Sequence, residues 1–145
     1  MYKRQGAYSP WCPKKLIFDN RKDFSIKKVT ITPYIEHPKA VASRVKTDDE
    51  KAVAFGHDIL EDCNWITPLY LLDNGLEPHI VEAIKILTKT NNKSYSDYLY
   101  DVKDNPLART VKIADLLSNL ADNPTNKQIR KYAVGLQVLV DCDFN

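Results

Sequence analysis

The sequence predicts an all-α fold, a compact helical bundle of about six or seven helices, and three observations carry that expectation. Apolar residues recur at helical spacing through most of the chain from His37 onward. Helix-start signals punctuate it: Thr47-Asp48-Asp49-Glu50, Thr67-Pro68, Ser94-Tyr95-Ser96-Asp97 and Asn105-Pro106. Only Val29-Thr30-Ile31-Thr32 looks locally extended. With 145 residues, 43% hydrophobic and 28% charged, the chain is sized for one domain with one core, residues 1–145.

Taken in order, residues 1–32 carry Arg4, Lys14, Lys15, Arg21, Lys22, Lys27 and Lys28 with little periodicity, and form a basic N-terminal segment. Pro38 is expected at the first position of a short helix over 38–45, with His37 just outside it and Ala40, Val41, Ala42 and Val45 on its apolar side. The capping box at Thr47 opens a largely apolar helix that continues to about Asp62. Thr67-Pro68 starts another, which Asn74-Gly75 closes with a left-handed cap. Pro78 to about Lys89 is the next, and Ser94 begins a shorter one carrying Tyr95, Tyr98 and Leu99. Asn105-Pro106 begins a strongly apolar helix through Leu120, and Thr125 caps a last one to about Val140.

Composition excludes several classes. No apolar run approaches the roughly 20 residues of a membrane span, and the first residues do not resemble a secretory signal, so a cytoplasmic protein without a membrane role is expected. Cys12, Cys63 and Cys142 are odd in number and far apart, without C-x-x-C spacing, and are read as reduced thiols. A net charge of +2 does not announce nucleic acid, and no groove-reading motif accompanies the basic N-terminus.

The chemistry concentrates in His57-Asp58-Ile59-Leu60-Glu61-Asp62. On a continuous helix His57 stands above Glu61 and Asp58 above Asp62. The preceding Ala52-Val53-Ala54-Phe55-Gly56 is apolar, so these groups enter the interior, where unpaired carboxylates are costly and a metal offsets the cost. A solvated helix end is the plain alternative. Asp115, within Val111-Lys112-Ile113-Ala114-Asp115-Leu116-Leu117, is a carboxylate on an apolar helix and reads as a metal ligand, the alternative being a salt bridge to Lys112. Asn119 follows at i+4 and is either a substrate contact or a surface amide. His37, His57, Asp58 and Asp115 together make a nitrogen/oxygen set suited to six-coordinate Mn²⁺ or Fe²⁺, zinc being less natural. His79, at a helix start, reads as structural.

Three stretches resemble the HD superfamily, and within it the (p)ppGpp hydrolase domain of the RelA/SpoT type and its small single-domain relatives. They are Pro33-Tyr34-Ile35-Glu36-His37-Pro38, Gly56-His57-Asp58-Ile59-Leu60-Glu61-Asp62-Cys63, and residues 105–120, in matching order over about 33–140. The resemblance implies His37, His57, Asp58 and Asp115 as metal ligands, with Mn²⁺ as cofactor and Fe²⁺ or another divalent ion as its substitute. It implies Glu61 and Asp62 as paired catalytic carboxylates, Asn119 as a contact to the nucleotide sugar, and Lys112 and Arg109 as supports for the phosphates. Tyr95 and Tyr98 match a Tyr-x-x-Tyr feature of the small relatives. The family's Gly-x-Arg-Lys loop is replaced by Lys27-Lys28-Val29-Thr30-Ile31-Thr32, with no arginine at the expected place; Lys27 or Lys28 is the candidate phosphate contact, the alternative being a solvated basic edge. The implied function is removal of pyrophosphate from (p)ppGpp, a nucleotide substrate. Hydrolysis of another nucleotide phosphoester and a non-catalytic, metal-containing nucleotide-binding module are the competing readings.

Overall fold

Eight helical segments follow one another in the computed structural model, which describes residues 32–140, and no strand interrupts them among those residues. They are α1 (Thr32–Ala42), α2 (Asp48–Gly56), α3 (Ile59–Asp62), α4 (Pro68–Asp73), α5 (Pro78–Leu87), α6 (Tyr95–Asp104), α7 (Pro106–Leu120) and α8 (Asn126–Val140). The all-α bundle is as expected: seven helices, one of which is split into α2 and α3. Lys28 and the rest of the basic segment up to residue 31 lie outside the described residues.

Most boundaries have a local cause. Thr47 Oγ1 accepts from the Glu50 backbone N–H at 3.1 Å while Glu50 Oε1 accepts from the Thr47 N–H at 2.9 Å, which satisfies two orphan donors of α2. Thr125 and Gln128 repeat the exchange at the start of α8, at 3.2 and 2.9 Å. Thr67, Ser94 and Asn105 cap α4, α6 and α7 through their side chains. Gly75, with φ of +96°, supplies the left-handed residue that ends α4.

One boundary differs from the sequence expectation. Thr32, expected in an extended stretch, is helical, and α1 starts there rather than at Pro38. The proline that fits a helix start is therefore Pro33, while Pro38 lies inside α1, where it removes one backbone donor and the helix tolerates the loss. His37 is thus carried by the helix instead of standing before it.

α7 is the central rod and packs against α1, α2, α5, α6 and α8. Its Ala108, Val111 and Leu116 are buried with Ile59, Leu71, Ile80, Ile84, Leu99 and Leu139 in one core. Each such large side chain contributes about 1.5–3 kcal/mol by leaving water. Gly56 lets α2 approach α5, because a Cβ there would sit 2.8 Å from Ile84 Cδ1. Arg44 Nε donates to Ser118 Oγ at 2.9 Å and ties the end of α1 to α7. Cys63 is buried and disulfide-bonded, which overturns its reading as a reduced thiol. Cys12 and Cys142 lie outside the described residues. Among the described residues no helix is long and apolar enough to cross a membrane.

Candidate metal centre

The decisive local feature is where α2 stops. The expected continuous helix over 47–62 breaks at His57-Asp58: His57 keeps helical angles (φ −61°, ψ −28°), but Asp58 sits at φ −104°, ψ 0°. That sparsely populated bridge conformation turns the chain into the single turn of α3. The backbone N–H groups of Glu61 and Asp62 both donate to the Asp58 carbonyl, at 3.1 and 2.9 Å. The two straight rows expected from the hexapeptide therefore do not form. His57 and Asp58 are aimed instead at α1 and α7.

Three elements bring their groups to one point. His37, from α1, and His57, after α2, have ring centroids 5.3 Å apart. One ligand atom each from His37, His57 and Asp58 lies within 4.8 Å of the others, so these three side chains could hold a metal ion. Asp115, from α7, adds Oδ1 at 2.8 Å from His37 Nε2 and 3.3 Å from His57 Nε2. Its other oxygen accepts from Lys112 Nζ at 2.9 Å, and Asn119 Nδ2 donates to Oδ1 at 3.2 Å. Lys112 and Asn119 are one turn either side of Asp115, so α7 delivers the carboxylate already held by its own neighbours.

His57 is the most constrained member. Its Nδ1 donates to the Ala54 carbonyl at 2.6 Å, which fixes the ring and leaves Nε2 as the atom facing the cluster. Nε2 lies 3.2 Å from Asp58 Oδ2 and 3.3 Å from Asp115 Oδ1, and this buried nitrogen is left without a hydrogen-bond partner. A buried polar atom left in this way is costly and calls for something to occupy its lone pair. The donor set fits a divalent cation: two imidazoles, one with its second nitrogen tied to a carbonyl, and two carboxylates.

The electrostatics agree with a site built for positive charge. Burial works against the His57 cation, yet Asp58 and Asp115 outweigh it and raise its pKa well above the ordinary histidine value. Burial likewise opposes ionisation of Asp115, but Lys112 and His57 hold it well below the usual carboxylate range. Asp58 is lowered too, the His57 imidazole overcoming the effect of burial.

No family model matches this chain, and no curated protein matches it. The site is therefore read from its own geometry.

A cavity of about 370 Å³ opens over the cluster and includes His37, His57, Asp58 and Asp115 in its wall. Of the two expected catalytic carboxylates, Glu61 lines it and Asp62 does not. Glu61 Oε1 accepts from the Lys89 backbone N–H at 2.8 Å, which anchors α3 to the end of α5. Of the expected substrate contacts, Lys112 and Asn119 line the cavity, Arg109 does not, and Lys28 lies outside the described residues. Tyr98 is buried, donates to the Leu87 carbonyl at 2.7 Å, and has its pKa pushed up to about 12 by burial, so it is a packed, protonated strut. Tyr95 is half-buried, with Lys131 Nζ 4.8 Å from its ring centroid. Lys89, Lys131 and Tyr132 also line the cavity, and sequence reasoning singled out none of them. Lys131 and Tyr132 come from α8, whose apolar periodicity was visible but which carries no motif to mark its polar members.

Proposed function

We propose that this chain is a metal-dependent phosphohydrolase of the HD type, acting on a nucleotide and removing pyrophosphate from (p)ppGpp. The observation that carries this reading is the unpartnered, buried His57 Nε2, set among His37, Asp58 and Asp115 beneath a cavity that Glu61 also lines. The residues that would hold the ion are His37, His57, Asp58 and Asp115. A divalent cation there, Mn²⁺ first and Fe²⁺ next, would supply Lewis acidity toward water and phosphate and neutralise phosphate charge.

The chain's own groups account for the rest. Glu61 is the general base: it faces the cavity, is held in direction by the Lys89 N–H, and takes the proton from the attacking water. Asp62, the second carboxylate of the pair, does not line the cavity. Lys89 and Lys131 attract the phosphates, Lys131 from beside the ring of Tyr95. Asn119 spends one amide N–H on Asp115 and keeps its carbonyl for a sugar hydroxyl.

The test is incubation of metal-depleted protein, with and without Mn²⁺, against ppGpp and a panel of ordinary nucleotides, following pyrophosphate and phosphate release. Manganese-dependent pyrophosphate release from ppGpp alone is the expected result. Cleavage of a different nucleotide keeps the hydrolase and replaces the substrate; metal uptake without cleavage of any kind makes the cavity a binding module and overturns the proposal.

A further inference from the structure

Lys112 is a partly buried lysine whose ammonium is engaged on two sides. Its Nζ donates to Asp115 Oδ2 at 2.9 Å, with the lysine side chain 16% and the aspartate 6% exposed. The ring of Tyr98 lies beside it, centroid 5.6 Å from Nζ, and that ring is itself fixed by the phenol's hydrogen bond to Leu87. A swing toward a substrate phosphate would abandon both the carboxylate and the aromatic face. On the far side of the same carboxylate, Oδ1 faces His37 Nε2, His57 Nε2 and Asn119 Nδ2. The two oxygens of Asp115 are therefore divided: one belongs to the lysine, the other to the cluster.

We propose that Lys112 is a positioning residue, not a phosphate contact: by holding Asp115 Oδ2 it makes Asp115 a one-oxygen ligand and so biases the centre toward Mn²⁺ over Ca²⁺. The inference rests on the metal-centre reading above. A carboxylate limited to one oxygen suits a six-coordinate ion of regular geometry. Calcium takes six to eight oxygens and accepts both oxygens of one carboxylate, so it gains most when the second is released. Replacing Lys112 changes which ion is preferred, an effect that simple loosening of the bundle does not produce.

The experiment is a competition titration of Mn²⁺ against Ca²⁺ on the metal-depleted chain, with free Mn²⁺ read by electron paramagnetic resonance, for wild type, Lys112→Met and Lys112→Arg. Lys112→Met is expected to shift the Mn²⁺:Ca²⁺ affinity ratio toward calcium by about tenfold, and Lys112→Arg, which keeps a charged donor, to stay near the wild-type ratio. If Lys112→Met does not fold, Lys112→Gln serves in its place, with a smaller shift in the same direction. An unchanged ratio in a folded Met or Gln variant overturns the role of Lys112 while leaving the metal centre intact. A wild-type chain that takes up neither ion overturns the metal reading itself.

Discussion

Two imidazole–carboxylate clusters occur among the described residues, with contacts of the same length and different consequences. At the start of α5, His79 Nε2 lies 2.8 Å from Asp49 Oδ2 and its Nδ1 lies 3.4 Å from Glu77 Oε2. At the candidate metal centre, His37 Nε2 lies 2.8 Å from Asp115 Oδ1. The His79–Asp49 side chains are about half exposed, at 51% and 49%, so water screens the pair and both ring nitrogens have company. The His37–Asp115 side chains are 14% and 6% exposed, and beside them stands His57 Nε2 with no hydrogen bond. Distance alone does not separate a surface ion pair from a group that could hold a metal ion; burial and the unmet nitrogen do.

The largest expected effect comes from removing a ligand on the buried side. Asp58→Ala should abolish Mn²⁺ uptake and turnover together. Mn²⁺ at about 100 times its Kd should stabilise the wild-type chain by about 2.7 kcal/mol and leave the variant's melting temperature unmoved. Calorimetry with and without the ion checks this, and full metal occupancy in Asp58→Ala removes that residue from the ligand set. Glu61→Gln is expected to keep the ion while turnover falls by roughly 10²- to 10⁴-fold; steady-state rates at saturating Mn²⁺ decide it, and unchanged turnover ends the role of Glu61 as base.

Acidity sharpens the same contrast. The surrounding carboxylates raise the His57 pKa, so the ion must displace a proton from that ring. Below that raised value Mn²⁺ binding is therefore expected to weaken by about tenfold per pH unit of acidification, the dependence expected when one proton is displaced. Titrations across a pH series check this, and a flat profile would exclude His57 as a ligand. At the exposed cluster the prediction is the smallest: His79→Ala should change stability by no more than about 0.5 kcal/mol and leave Mn²⁺ affinity as it was. A large loss of either would mean that exposure is the wrong criterion for telling the two clusters apart.

Much of the fold was legible because helix ends are local events. Thr47 with Glu50, Thr67 with Pro68, Ser94, Asn105 with Pro106, and Gly75 each act on backbone groups within a turn, and each was found at its expected end. What the sequence hid was non-local. The break at His57-Asp58 has no glycine or proline at its own two positions to announce it, and the φ/ψ of Asp58 is held by the packing of α3, whose Ile59 is fully buried. The ligand candidates were legible as types, since carboxylates and imidazoles on apolar helices are costly unless paired. Their partners were not. That Lys112 takes one oxygen of Asp115, that Lys89 lends its backbone to Glu61, and that Lys131 and Tyr132 reach the cavity from α8 all depend on how the helices pack. Lys112 stands at i and i+3 with Asp115 on α7 and is paired with that carboxylate at 2.9 Å, the contact the sequence offered as the plain alternative to a metal ligand.

The most direct test of the buried cluster is pulsed electron paramagnetic resonance on the metal-depleted wild-type chain with one equivalent of Mn²⁺. One bound ion per chain is expected, with nitrogen modulation from imidazole ligands that is weakened in His57→Ala and unchanged in His79→Ala. A spectrum of freely hydrated Mn²⁺, or of bound Mn²⁺ without nitrogen modulation, would contradict a metal centre built on these imidazoles.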